Sequence, residues 1–360
     1  MTSRRWNAIA AALAGSLLAA GCTHLGPRTV ALDRFDYGAA IADSWKDQTL
    51  LNIVKLRYAD MPVFLDVSSI VAGYSLQTGV TLNGVLSSRG GVQGDYGAIQ
   101  GQGIYTDRPT ITYAPMTGEK FLNGLITPIE PRNIFFMLQA GYAADFILAL
   151  TVESLNGVRN RSALGGTLRE ADPAFVRALQ LLRDVQAAGG LGMRVEEDKA
   201  KGSAAILLFR REGLPADIEQ KGAEIRRLLQ MSADEQKFSL LYSPMRGGAN
   251  ELAVNSRSML QILQAFSTYV DVPEQHLREL RAFKSVDENA SPDQYRPGRI
   301  LSGTTRPEGA FAAVRYRDHW FWVPDNDLQT KRALTAIMFV FTLTGSASPE
   351  RLPLVTIPAQ

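Results

Sequence analysis

From residue 76 to residue 87 the chain alternates with a period of two. Leu76, Thr78, Val80, Leu82, Gly84 and Leu86 fall on one parity, and Gln77, Gly79, Thr81, Asn83, Val85 and Ser87 on the other. Successive residues of an extended strand face opposite sides, so this is a strand pattern. After Ser88, Arg89, Gly90 and Gly91 the alternation resumes, with Val92, Gly94, Tyr96 and Ala98 set against Gln93, Asp95 and Gly97. The pattern predicts a long β-hairpin over residues 73–106 with its tip near residues 89–91. Residues 73–104 hold nine glycines and only two charged residues, Arg89 and Asp95.

Helical spacing dominates the flanks. A helix is expected over 39–58, where Ile41, Trp45, Leu50, Leu51, Ile53, Val54 and Leu56 fall on more than one side of the wheel, with Pro62 beyond it. The apolar run 63–71 fits either a buried strand or a short helix. Residues 108–113 read as a short strand, and 118–125, 131–142 and 144–155 as apolar helices. Gly157, Gly165 and Gly166 make 156–168 a linker candidate.

The second half is better punctuated. Asp172 and Pro173 suit the N-cap and first position of a helix that Gly189 and Gly190 stop. Strands follow at 193–196 and 204–209, a helix at 216–230, strands at 238–242 and 251–255, and a helix at 258–269. Residues 287–307 read as a loop. A hairpin of 311–316 and 319–323 turns at Arg317 and Asp318, and Asp325 or Asp327 caps a last helix that Gly345 ends. The expected class is α+β: a helical lobe carrying the glycine-rich hairpin (37–160), then a lobe of repeating helix and two strands (170–360). Antiparallel pairing is favoured because neighbouring strands are too close for crossovers.

Arg4 and Arg5 precede an uncharged stretch of 13 residues, 8–20, that leads into Gly21 and Cys22. This is the layout of a cleaved signal peptide, residues 1–21, because about 20 apolar residues are needed to span a bilayer. The segment Leu18, Ala19, Ala20, Gly21, Cys22 resembles the lipobox of bacterial lipoproteins, with Ala19 where leucine is commonest. The resemblance implies a diacylglycerol and an acyl chain such as palmitate at Cys22. The non-acidic Thr23 then implies the outer membrane. Acyl chains contribute about 0.8 kcal/mol per buried methylene, so two or three anchor stably. Residues 22–36 read as a tether.

Removing residues 1–21 takes away two arginines and no acid, leaving 36 basic and 36 acidic residues. A net charge of zero disfavours a nucleic-acid partner. Cys22 is the only cysteine, so its lipidation leaves no thiol for a disulfide, a thiolate zinc site or a nucleophile. No nucleophile elbow, zinc helix or phosphate loop is present. Catalytic, cofactor and metal residues are therefore set at none. Of the histidines, His276 reads as a solvated helix residue. His319 lies between Asp318 and the aromatics Trp320 and Trp322, the weak candidates for a general base or a sugar-stacking surface. Asp318 is poorly placed to orient its neighbour in a tight hairpin. Asp325 and Asp327 are better explained as helix caps than as cation ligands.

Residues 51–58 (Leu-Asn-Ile-Val-Lys-Leu-Arg-Tyr), 108–113 with Pro115, Gly118, Glu119 and Phe121, and 320–331 resemble a family of uncharacterised lipoproteins of Gram-negative bacteria. The resemblance implies a shared fold and address and no activity. The expected function is a non-catalytic binding or assembly role, periplasm-facing and anchored to the outer membrane by lipid, with a protein partner or a homo-oligomer. The alternatives are an oligomeric channel or export component that uses residues 73–104 as barrel strands, and a cell-wall or glycan hydrolase.

Overall fold

The computed structural model describes residues 25–71, 74–85, 96–162, 169–198, 202–210, 213–282 and 297–344. Cys22, the signal segment, the hairpin tip and Gly345 lie outside them. The class is α+β. The chain forms two compact units, one of Met1–Ser44 with Leu65–Pro115, the other of Trp45–Phe64 with Met116–Gln360.

The smaller unit contains the start of helix α1 (Leu25–Arg57) and four strands, β1 (Phe64–Val71), β2 (Tyr74–Val85), β3 (Tyr96–Asp107) and β4 (Thr110–Met116). The segment expected as a tether is thus helical from Leu25, with Pro27 in the first turn, where a missing N–H costs no intrahelical bond. The run left open between strand and helix is strand β1, paired with β4. Strands β2 and β3 pair antiparallel without a break, from Tyr74 opposite Asp107 to Val85 opposite Tyr96. Arg108 and Pro109 separate β3 from β4, and proline has no N–H to donate.

The larger unit is built on a six-stranded sheet of order β6-β5-β10-β9-β8-β7. Its strands are β5 (Val152–Leu155), β6 (Val158–Arg159), β7 (Leu191–Asp198), β8 (Gly202–Phe209), β9 (Lys237–Tyr242) and β10 (Glu251–Ser256). Helices α2 (Glu119–Ile126), α3 (Pro131–Gln139) and α4 (Ala144–Thr151) precede the sheet in the chain. Helices α5 (Pro173–Ala187), α6 (Ala216–Leu228), α7 (Met259–Ser267) and α8 (Glu274–Arg278) are interleaved with it or follow it. A second sheet, β11-β13-β12, comprises Leu301–Gly303, His319–Pro324 and Ala310–Tyr316, and precedes helix α9 (Leu328–Thr344).

Helix α5 shows why these residues fold this way. Phe175, Ala178, Leu179, Leu181, Leu182 and Val185 form its buried face. Gly189 adopts φ +72°, and a Cβ on Gly190 would come within 2.9 Å of Leu214 and Val185, so the helix stops there. Asp172 holds the N-cap position, but its carboxylate accepts from the Arg159 N–H instead of the helix. Ser258 makes a full capping box with Gln261. Arg317 and Asp318 both take positive φ, the two-residue turn that matches strand twist.

Four expectations require correction. The units do not divide at 156–168: the expected helix 144–155 ends at Thr151, and β5 enters the central sheet between β6 and β10. Pairing is not uniformly antiparallel, because β9 and β10 run parallel, Glu251 opposite Ser239. The connection of eight residues, 243–250, reaches about 26 Å extended, enough to retrace a strand of six residues, about 20 Å, without a helix. The loop 287–307 contains β11, paired with β13. His276, read as solvated, is buried.

Polar residues knit the larger unit. Asn52, fully buried, donates to the Val63 carbonyl at 2.8 Å and accepts from its N–H at 2.9 Å, closing the turn after α1. Asn156, at φ +46°, accepts from Ala253 N–H at 2.7 Å and donates to Leu229 and Glu251 carbonyls. The buried Arg257 donates to Glu153 at 3.0 Å, to the carbonyls of Ala149 and Leu150 at the end of α4, and to the Arg161 carbonyl. Glu153 also accepts from Arg169 at 2.7 Å. Arg257→Ala leaves that carboxylate and three carbonyls without their partner. It is expected to lower unfolding free energy by about 3–5 kcal/mol in chemical denaturation; a loss under about 1 kcal/mol contradicts this clamp.

Candidate functional site

Two places in the fold carry chemistry that packing alone does not account for. The first is the β2–β3 ribbon. In an antiparallel pair directly opposite residues share a face, so the register sorts the ribbon into two rows. One row holds Tyr74, Leu76, Thr78, Val80, Leu82 and Gly84, paired with Asp107, Tyr105, Gly103, Gly101, Ile99 and Gly97. The other holds Ser75, Gln77, Gly79, Thr81, Asn83 and Val85, paired with Thr106, Ile104, Gln102, Gln100, Ala98 and Tyr96. Gln77, Thr81 and Gln102 are exposed. Among the described residues neither outer edge of the ribbon has a strand partner.

The second place gathers the C-terminal end of α1, helix α8 and the β12–β13 hairpin. The Tyr58 hydroxyl and His276 Nδ1 share a buried hydrogen bond of 2.7 Å. The His319 ring meets His276 edge-on, with centroids 4.8 Å apart, and Tyr58 makes edge contacts with Tyr316 and Phe321. Tyr316 donates to Asp60, and the Arg317 guanidinium lies over both tyrosine rings while pairing with Asp60 at 3.2 Å. Burial pushes the Tyr58 phenol up to about 12, so it keeps its proton at any ordinary pH. Burial, then the neighbouring His319 and Arg281, holds the His276 imidazole below its usual range.

The weak sequence candidates divide here. His319 joins the cluster, yet its Nδ1 lies 3.3 Å from the Arg317 carbonyl and Asp318 pairs with Arg315. Among the described residues neither imidazole hydrogen-bonds a carboxylate. Trp320 and Trp322 pair with Gly303 and Leu301 of β11, on the opposite parity from the buried Phe321 and Val323, and Arg306 lies over the Trp320 ring. Asp325 binds Lys331 at 2.6 Å, and Asp327 accepts from the Thr330 N–H at 3.0 Å, the capping role expected of it. The partnership of Tyr58 with His276 spans 218 positions and had no local signal.

A separate cavity of about 580 Å³ is lined by Tyr142, Phe146, Phe311, Leu328, Lys331 and Arg332, among others. Its cations rest on aromatic rings, Lys331 over Phe311 and Arg332 over Phe146. Among the described residues no cluster of three or more His, Cys, Asp or Glu is placed to hold a metal ion. None of their helices is long and apolar enough to cross a membrane. No protein-family model matches the chain, and neither a curated protein nor a solved structure shows significant similarity to it.

The Tyr58–His276 pair makes a prediction about pH. Because the folded state disfavours protonated His276, the stability it contributes is present above the ordinary imidazole value of 6.5 and is lost as pH falls below it. Replacing His276 with Asn is expected to flatten the decline of Tm between about pH 7 and about pH 5. An unchanged pH profile contradicts the assignment.

Proposed function

We propose that the protein is a lipid-anchored protein of the outer membrane that works by assembly, each copy donating its β2–β3 hairpin as two strands of a closed transmembrane barrel. The observation that carries this reading is the unbroken register of twelve residue pairs with uncharged rows on both sides up to Asp107. Strands of 12 residues are about 40 Å long, and at a tilt of about 45° they rise about 29 Å, the thickness of a hydrocarbon core. The row containing Leu76, Val80, Leu82 and Ile99 suits lipid, and the row containing Gln77, Thr81 and Gln102 suits water.

A lone hairpin is unstable in either medium. In water two strands without a packed face are marginal, and in lipid each unpaired N–H or C=O costs several kcal/mol. Closure with copies of the same chain removes both edges at once, and four or more copies supply the eight strands of a small barrel. The acyl chains expected on Cys22 hold each copy at the membrane before insertion. The larger unit serves as the periplasm-facing body, and the reading requires no catalysis of it.

Two measurements test the proposal. Light scattering of the detergent-extracted protein, corrected for bound detergent, is expected to give a discrete assembly of at least about four copies. Deletion of residues 74–107 is expected to leave a folded body that no longer assembles. A monomeric full-length protein overturns the barrel. Separately, Cys22→Ala is expected to abolish palmitate labelling and to leave the precursor unprocessed; persistent label overturns the lipid anchor.

A further inference from the structure

We infer that the barrel proposed above is lined by an uncharged row, amides and hydroxyls interspersed with small and apolar side chains, and passes hydrophilic solutes without selecting them by charge. The inference rests on that reading and adds to it the chemistry of what crosses. In a closed barrel one row of each ribbon faces lipid and the other faces the lumen. Burying an amide or hydroxyl in hydrocarbon without a partner costs several kcal/mol, so the row of Ser75, Gln77, Thr81, Gln102 and Thr106 takes the lumen. Gln77, Thr81 and Gln102 are exposed in the single copy, as is Ile104 beside them in the same row.

That row contains no acidic or basic residue over its six pairs; the ribbon's one charged residue, Asp107, falls at its end in the opposite row. Symmetry multiplies this property, because each lining residue becomes a ring of identical groups, one from each copy. Rings of carboxylates or guanidiniums concentrate counter-ions and exclude co-ions. Rings of glutamine and threonine do neither. Amides and hydroxyls both donate and accept hydrogen bonds, so they exchange partners with water, sugar hydroxyls or peptide groups on similar terms. The fitting solute class is neutral and rich in hydrogen-bonding groups, such as an oligosaccharide, and small cations and anions pass alike.

The test is the reversal potential of the full-length, lipidated assembly in planar bilayers under a KCl gradient near 0.01 M, where the Debye length is about 30 Å. The native channel is expected to show a potassium-to-chloride permeability ratio within about twofold of unity. Gln102→Glu is expected to raise that ratio several-fold, and Thr81→Lys to lower it several-fold, because each adds a whole ring of charge. Leu82→Glu, on the other row, is expected to abolish conductance. A strongly charge-selective native channel, or lumen variants that leave the ratio unmoved, overturns the inference while the barrel stands. Absence of conductance from the native assembly overturns the barrel and the inference together.

Discussion

A two-stranded ribbon leaves half of its backbone N–H and C=O groups pointing away from its own ladder. In the β2–β3 hairpin these groups form two rows along strands of twelve residues, with no strand beside either among the described residues. Long, unblunted edges invite pairing with another chain, and natural proteins ordinarily suppress them with charge, proline or a covering segment. Here Tyr74–Val85 and Tyr96–Thr106 contain neither a charged residue nor a proline. The proposed assembly and the proposed neutral conduit both answer the question of what satisfies those edges and which solvent each row tolerates.

In the larger unit three polar side chains are met by partners within the unit. Arg257 reaches the Glu153 carboxylate and three carbonyls, and Asn156 and Asn52 each engage backbone groups through both ends of their amides. Such residues hold chain segments that apolar contact alone leaves free to slide, because an unmet amide or guanidinium in the interior is costly. The stretch 51–58 illustrates the division of labour. Ile53 and Val54 fill the core, Asn52 fixes the following turn, and Tyr58 meets His276. A body knit by such contacts and a hairpin with no strand at either edge among the described residues are suited to different tasks.

What the sequence made legible was whatever its local chemistry determines. The period of two across 76–87 marked the strand β2 that pairs with β3, Asp172-Pro173 and Gly189-Gly190 bracketed α5, and the short β12–β13 hairpin turned where expected. What escaped depends on partners far away in the chain. Val152 to Leu155 follow α4 with no glycine or proline between, and pairing with β10 and β6 makes them a strand. The parallel step between β9 and β10 reflects the reach of an eight-residue connection, which composition does not reveal. His276 sits in a helix of five residues, too short for its periodicity to show which side is buried, so Tyr58 decided its environment. The ribbon's two rows were already implicit in the alternation, but matching the strands residue by residue needed the register.

The most direct measurement is residue-resolved hydrogen exchange of the β2 and β3 amides in the lipidated, membrane-inserted protein. In a lone hairpin, alternate amides belong to pairs that share no hydrogen bond, and they exchange freely. Closure of the ribbons into one barrel predicts uniform protection along Tyr74–Val85 and Tyr96–Asp107. An alternating pattern of protected and exchanging amides along either strand would contradict the account.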